Sequence, residues 1–98
     1  MAIQSFHDSG TADLFNRKPS RAARKVCPVD LWSVARRKLD QLNAAVSLQS
    51  LGFPPGNRLE ALKGDRQGQH SIRINERWRV CFRWTDAGPV GVEVVDYH

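Results

Sequence analysis

The stretch from Arg58 to Trp84 constrains the fold most strongly, because it holds two alternating segments separated by a short turn. Polar and apolar side chains alternate from Ser71 to Asn75. Large apolar side chains alternate with arginines and one cysteine from Trp78 to Trp84. A period of two is typical of a half-buried β-strand. The stretch therefore predicts a β-hairpin.

The apolar side chains also predict the register of this hairpin. A two-residue turn would set apolar side chains opposite charged ones along the whole pair. A three-residue turn over residues 75–77 instead places Ile74 opposite Trp78 and Ile72 opposite Val80. One face of the hairpin is then continuously apolar and can cover a core.

The same register places Arg73 directly opposite Arg79 on the other face. Two guanidinium groups facing each other across a strand pair repel, so a carboxylate or an outside anion is expected between them. A phosphate would fit, and so would a neighbouring Asp or Glu. The sequence alone leaves both interpretations open.

A third strand is predicted after the turn TDAGP, in the segment VGVEVVDY. It continues the apolar side of the hairpin through three pairs, Trp84–Val90, Phe82–Val92 and Val80–Val94. Tyr97 then shares the polar face with Arg73 and Arg79. Before the hairpin, Arg58 to Leu62 is expected to be extended.

The first half of the chain predicts a short strand and two helices. Ile3 to Phe6 alternates weakly, and Thr11 is a candidate N-cap for a short helix over residues 12–15. Residues 18–20 interrupt this helix, and the segment 21–27 is either a basic loop or a frayed helical turn. The apolar side chains of the main helix recur at steps of four, four, three and four, which marks one face: Leu31, Ala35, Leu39, Leu42 and Val46.

Together these elements predict a single α+β domain over residues 1–98. An N-terminal strand and two helices would pack on one face of an antiparallel sheet. The opposite face of that sheet, which would hold Arg73, Arg79, Arg83 and Tyr97, would stay open to a ligand. No run of 18 apolar residues and no signal peptide is visible, so we expect a cytoplasmic protein without a membrane span.

The cations are clustered along the chain. The net charge is +5, and eight cations lie between Arg17 and Lys38 against one acid, Asp30. This excess suits a polyanion, either nucleic acid or an acidic protein, although a solvated basic helix surface gives the same pattern. Cys27 and Cys81 are too few for a zinc site, and Cys81 is expected to be a small apolar filler.

The polar residues of the second half could perform metal-free RNA cleavage. In that reaction a base removes the 2′-OH proton, cations stabilise the phosphate charge and an acid protonates the leaving oxygen. The histidines are scattered, so neither a metal nor a cofactor is predicted. The candidate phosphate contacts are Arg73, Arg79, Lys63 and Arg66. The candidate proton carriers are Glu60, Asp96, Tyr97 and His98.

The segment LKGDRQGQHSIRINERWRVCF, residues 62–82, together with the closing VDYH, resembles the HigB branch of the RelE/ParE toxin superfamily. The resemblance covers nearly the whole chain and implies a small RelE-like α+β domain. It also implies a toxin that cuts translated mRNA on the ribosome. The implied partners are the ribosome, mRNA and a HigA-type helix-turn-helix antitoxin, with operator DNA contacted only through that antitoxin.

The resemblance also implies roles for particular residues. Lys63, Arg73, Asp96, Tyr97 and His98 match functional positions of the family, and Arg79 belongs to the matching WR element. Some relatives have a histidine three residues before the lysine of LKGDR, where this chain has Glu60, so the assignment of acid and base stays open. Basic residues that could contact ribosomal RNA or the antitoxin are Lys18, Arg21, Arg24 and Lys25.

Two other functions remain open from the sequence. Relatives of the ParE type share the fold and inhibit DNA gyrase, so a binding toxin without nuclease activity is one alternative. A basic RNA-binding module that leaves RNA uncut is the other. Intact message during growth arrest would favour the first alternative, and salt-dependent binding without cleavage would favour the second.

Overall fold

A computed structural model describes residues 1–97 of the chain. Three α-helices precede a four-stranded antiparallel sheet with the strand order β1-β2-β3-β4. The helices are α1 Ser9–Phe15, α2 Arg21–Val26 and α3 Trp32–Ala44. The strands are β1 Glu60–Ala61, β2 His70–Arg73, β3 Trp78–Thr85 and β4 Gly88–Asp96. The predicted α+β class is confirmed.

The hairpin of β2 and β3 has the predicted register. Ile72 pairs with Val80 and Arg73 pairs with Arg79. The backbone N–H of Ile74 donates to the carbonyl of Trp78 at 2.9 Å, which closes the three-residue turn. The apolar side chains of this pair face the helices, as the continuous apolar face requires.

The register predicted between β3 and β4 is right at one end and wrong at the other. Val80 pairs with Val94, but Trp84 pairs with Pro89 instead of Val90. The register shifts between Cys81 and Arg83, where two steps along β3 correspond to three along β4. This is a β-bulge, and Gly91 in the bulged segment has a φ of 61°. Alternation of side chains alone does not indicate such an extra residue, although a glycine inside a strand pattern can mark one.

One continuous core lies between the helices and the sheet. Phe82, Ile72, Val80 and Val92 are fully buried on the helix-facing side. The helices contribute Leu14, Ala35, Leu39 and Leu42, all fully buried as well. Burial of apolar side chains at this scale is the main force that holds so small a domain together.

The helix N-termini differ from the prediction. Asp8, not Thr11, caps α1, because its carboxylate accepts from the Thr11 backbone N–H at 2.6 Å. The Thr11 hydroxyl is buried and accepts from the Val94 backbone N–H at 3.3 Å. Arg21–Val26 forms α2, capped by Ser20, which is the helical one of the two alternatives left open for this segment. Gly10 permits α1 and α2 to pack closely, since a Cβ there would collide with the Ala22 carbonyl.

The main helix ends earlier than predicted. The chain turns at Ala45, after α3, so Val46 is 80% exposed and does not belong to the apolar face. Leu31 lies in a 3-10 turn just before α3 and is only partly buried. None of the helices within residues 1–97 is long and apolar enough to span a lipid bilayer.

The predicted N-terminal strand is reduced to one bridge. Phe6 forms an isolated parallel bridge with Val92 of β4. The flanking backbone bonds are short, with His7 N–H donating to the Val92 carbonyl at 2.9 Å and Gln4 N–H to the Pro89 carbonyl at 2.8 Å. The N-terminal segment therefore follows β4 and carries His7 toward the open face of the sheet.

Candidate functional site

One row of residues crosses all four strands on the face of the sheet that the helices leave open. Backbone pairing aligns Glu60, Ser71, Cys81 and Glu93 in this order from β1 to β4. Ser71 and Cys81 in the middle are buried, whereas the two glutamates stand at the ends. The open face thus has a small buried floor with a carboxylate on either side.

Arg79 is held near the first of these carboxylates. Its guanidinium donates to the Ser71 hydroxyl at 3.2 Å and lies 3.4 Å from a carboxylate oxygen of Glu60. It also lies 5.6 Å from the centre of the Tyr97 ring, a cation–π arrangement. Only 14% of the Arg79 side chain is exposed, against 49% for Glu60. A fixed cation therefore lies beside an accessible carboxylate.

Arg66 is held near the second carboxylate. It follows β1 in a 3-10 turn over Gly64–Arg66 and reaches across to β4. Its Nη1 donates to Glu93 at 3.1 Å and to the Gln69 side chain at 3.1 Å. Burial lowers the pKa of Arg66, because it disfavours the charged guanidinium. The hydrogen bond to Glu93 and the nearby groups Cys81, Glu93 and Tyr97 raise it by more, so the pKa of Arg66 is raised overall.

Cys81 lies between these two charged pairs. Burial raises the pKa of its thiol to about 11, with Glu93 raising it further and Arg66 and Arg79 lowering it. The thiol therefore stays protonated at neutral pH. This supports the interpretation of Cys81 as a small filler and argues against a nucleophile.

Arg73 and Arg79 face each other as predicted, and Glu60 supplies a carboxylate to one of them. Arg79 binds Glu60, whereas Arg73 makes no side-chain hydrogen bond or ion pair within residues 1–97. The Arg73 backbone N–H donates to the Asn57 carbonyl at 2.6 Å. Of the two interpretations, a neighbouring carboxylate therefore applies to Arg79, while the charge of Arg73 is available to an outside anion.

Asp96 and Tyr97 lie at the end of β4, on different sides of the site. The Asp96 carboxylate forms a two-point ion pair with Arg77 at 2.7 and 2.8 Å. The Tyr97 backbone N–H donates to the Arg77 carbonyl at 2.7 Å, which fixes its ring near Arg79. Lys63 is exposed just after β1. His98 lies outside the described residues.

The basic residues of the first half form a separate surface. Lys18, Arg21, Arg24 and Lys25 are exposed on and just before α2, and no contact joins them to the open face within residues 1–97. Arg17 is paired with Asp40 at 2.6 Å.

Lys38 departs from this basic surface, because it is buried. Its Nζ donates to Asn57 at 2.5 Å, and burial, then Arg37, lower the pKa of Lys38. The positive excess available to a partner is therefore smaller than the sequence count.

Several residues of the open face were not predicted from the sequence. Glu93 was visible as an acid between the valines of VGVEVVDY. His7, whose Nε2 lies 3.5 Å from Glu93, gave no signal, because its position depends on the N-terminal segment following β4. Ser71 and Gln69 also border this face and were likewise not predicted, whereas Arg83 was expected there.

The scattered histidines suggested no metal cluster, but the fold brings three ligand groups together. Ligand atoms of His7, Asp8 and Glu93 lie within 4.8 Å of one another. Glu93 already accepts from Arg66, and Asp8 caps α1. A neighbouring guanidinium opposes a bound cation electrostatically. Absence of a metal stays a prediction.

The protein is a small α+β domain whose open sheet face carries arginines, an aromatic ring and carboxylates. Comparison with known proteins shows the family to which it belongs. The family described as "RelE-like toxin of type II toxin-antitoxin system HigB" matches residues 4–98. The chain belongs to this HigB-like toxin family.

Two relatives share part of the sequence. Toxin HigB-1 of Vibrio cholerae serotype O1 is 40% identical over 62 residues, which cover 63% of this chain and 65% of the relative. An uncharacterized protein of Haemophilus influenzae is 35% identical over 57 residues, which cover 58% of this chain and 56% of the relative. In both cases the match spans less than two thirds of the relative's length.

Proposed function

We propose that this protein is the toxin of a type II toxin–antitoxin system and cleaves mRNA on the ribosome without a metal ion. The observation that carries the proposal is the position of Arg79 on the open face. There its guanidinium lies between an accessible carboxylate, Glu60, and an aromatic ring, Tyr97. It also lies opposite Arg73, which has no ion-pair partner within residues 1–97. Membership of the HigB-like toxin family supports the same function.

The chemistry follows from the roles that these groups can take. The Glu60 carboxylate accepts the proton of the 2′-OH, and the freed oxygen attacks the neighbouring phosphorus. Arg79 and Arg73 stabilise the charge that develops on the phosphate oxygens. The bond to the 5′-oxygen breaks, which leaves a 2′,3′-cyclic phosphate and a 5′-hydroxyl end. The leaving oxygen takes a proton from a nearby acid.

The remaining predicted residues position the substrate or supply that proton. Lys63 and His98 carry protons that can be transferred to the leaving oxygen. The Tyr97 ring offers a flat surface on which an RNA base can stack. Asp96 holds Arg77 and so steadies the end of β4 that carries Tyr97.

The partners follow from the same proposal. A HigA-type antitoxin neutralises the toxin, and the toxin meets operator DNA only through that antitoxin. The basic surface of Lys18, Arg21, Arg24 and Lys25 contacts ribosomal RNA or the antitoxin through charge. The site of action is the cytoplasm, where mRNA is translated.

The test is to induce the wild type and Arg79→Ala in growing cells and to map RNA ends on an abundant message. We expect wild-type cuts inside translated codons, with 5′-hydroxyl ends, that disappear when translation is blocked. Arg79→Ala should reduce cleavage by about 10²–10³-fold, because it removes a fixed cation from the reacting phosphate. Arg79→Lys should retain part of the activity, since it keeps the charge but loses the planar fork.

Arg17→Ala is the matched control, because it removes an equal charge from an arginine that is paired with Asp40 on the helical side. It should cleave like the wild type. Growth arrest by the wild type with intact message would contradict the nuclease and favour a gyrase-type toxin. Purified protein that binds RNA in a salt-dependent way but never cuts it on translating ribosomes would favour a binding module.

A further inference from the structure

A polar cleft adjoins the candidate site at the β4 end of the open face. Its volume is about 500 Å³, within the range of small-ligand sites. Arg66 borders both regions, since it lines the cleft and donates to Glu93, which pairs with Cys81 in the row that crosses the open face. The lining residues are His7, Asp65, Arg66, Gln69, Arg83, Gly91 and Glu93.

Arg83 provides an exposed guanidinium at this cleft. Its guanidinium lies over the backbone of Gly68, where a Cβ would collide with Nη1. Gly68 has a φ of 92°, so this position favours glycine for its backbone conformation as well. Arg83 is exposed and makes no ion pair within residues 1–97. A guanidinium without an acid partner beside a cleft suits a phosphate.

Arg66 provides a flat, fixed surface in the same cleft. Bonds from its Nη1 to Gln69 and Glu93 hold the guanidinium plane, and Glu93 is in turn held by His7. Arginine planes of this kind stack on nucleobases. The Gln69 side-chain oxygen is occupied by Arg66, so its amide NH₂ remains as a donor, while Asp65 offers acceptor oxygens.

Space for a base is left at Gly91. A Cβ at this residue would meet no atom within 4 Å, so the bulge of β4 opens the cleft instead of filling it. A divalent cation at His7, Asp8 and Glu93 is a poorer occupant, because Arg66 lies 3.1 Å from Glu93. Within residues 1–97, the cleft combines Arg83, which has no ion-pair partner, the planar guanidinium of Arg66 and hydrogen-bonding groups. This set matches a nucleotide better than a bare ion.

We propose that this cleft binds one RNA nucleotide next to the cleaved phosphate. Its phosphate contacts Arg83, its base stacks on Arg66, and Asp65 and Gln69 bond to the polar atoms of the base. The proposal rests on the proposed function, and it assigns to this cleft the sequence preference of cleavage. Arg83 is then a binding residue for RNA, separate from the groups around Arg79.

The test is a titration of the isotopically labelled protein with AMP, CMP, GMP and UMP, followed by NMR of the backbone amides. We expect the Gly68 and Gly91 amides to shift, with different affinities for different bases. Arg83→Ala should weaken binding about ten-fold through loss of the charged phosphate contact. The control Arg17→Ala should bind like the wild type, because Arg17 is paired with Asp40 away from the cleft.

Three results would overturn the proposal. These are the absence of shifts at Gly68 and Gly91 with every nucleotide, unchanged affinity in Arg83→Ala, and an equal response to inorganic phosphate, which would leave an anion site only. Arg83→Gln serves as the second variant if Arg83→Ala does not fold. The titration measures nucleotide binding without a ribosome. Its outcome therefore does not depend on whether the protein cleaves mRNA, and the two proposals can fail separately.

A second measurement links the cleft to cleavage. If the wild type cuts mRNA, then Asp65→Ala should cut with a relaxed base preference at one position beside the cut, because Asp65 bonds to the base. Arg83→Ala should weaken cleavage about equally for all bases, because it removes a phosphate contact, and Arg17→Ala should keep the wild-type rate and preference. An unchanged preference in an active Asp65→Ala variant would contradict the proposed role.

Discussion

The open face has an arginine–glutamate pair at each end, and the two pairs differ in which partner is exposed. Near β1, the Glu60 side chain is 49% exposed and its partner Arg79 only 14%. Near β4, Glu93 is 21% exposed and Arg66 29%. The first pair leaves a carboxylate accessible beside a fixed cation, which suits proton transfer. The second holds its acid in place, which suits the positioning of Arg66.

The largest expected effect follows from the accessible carboxylate. Glu60→Gln keeps the size of the side chain but removes its basicity, so cleavage should fall by about 10²–10⁴-fold. The measurement is the cleavage rate of a short message on translating ribosomes. Glu76→Gln is the matched control, because Glu76 is an exposed glutamate in the hairpin turn. Wild-type cleavage by Glu60→Gln would mean that another group is the base.

The second prediction concerns stability. Glu93→Gln should lower the free energy of unfolding by about 1 kcal/mol, because it leaves Arg66 without a charged partner on a partly covered surface. Glu60→Gln should change it by less than about 0.5 kcal/mol, as is usual for an exposed site. Urea unfolding curves give both values. Equal losses in the two variants would remove the distinction between the pairs.

The third prediction concerns Cys81, which lies between the two pairs. Burial raises the pKa of Cys81 to about 11, and it does the same for Cys27. In the folded protein both thiols should therefore be alkylated at pH 8 about 100-fold more slowly than an ordinary thiol with a pKa of 9.0. Fast labelling of Cys81 but not of Cys27 would mean that Arg66 and Arg79 lower the pKa of Cys81 by more than burial raises it.

The same pKa shifts predict a pH dependence of stability. The folded-state pKa of each thiol lies above its ordinary value of 9.0. The contribution of the two protonated thiols to the free energy of unfolding is therefore complete below pH 9. It is lost as the pH rises from 9 toward 11, because the unfolded chain ionises and the folded chain does not. Replacing both cysteines by alanine should reduce the fall in unfolding free energy across this range. An identical fall in wild type and double variant would contradict the prediction.

The sequence predicts the β1 end of the open face better than the β4 end. Alternation and the cost of apolar–charged pairing were enough to place Arg73 opposite Arg79, because both constraints act between neighbouring strands. The contact of Arg66 with Glu93 joins residues 27 positions apart through a turn, and His7 arrives from the N-terminal segment. Patterns of period two or 3.6 carry no information on such contacts.

Local errors have local physical causes. Gly91 within a strand pattern was a signal for the bulge that shifted the Trp84 pairing. Asp8 and not Thr11 is the N-cap of α1, because the Thr11 hydroxyl is buried and accepts from the Val94 N–H of β4. Val46 fitted the helical spacing, but α3 ends at Ala44. The roles of the catalytic candidates, and that of His98 in particular, remain predictions.

The path of the N-terminal segment has a consequence for how this sheet can associate with other chains. A strand with free N–H and carbonyl groups on its outer side can recruit a strand from another chain. Here residues 4–7 occupy these groups near Val92, and the Thr11 hydroxyl occupies the N–H of Val94. On the far side, β1 covers β2 and Asn57 binds the Arg73 N–H. Strand addition at these positions would first have to displace the chain's own segments, so a partner is expected to dock on side chains instead.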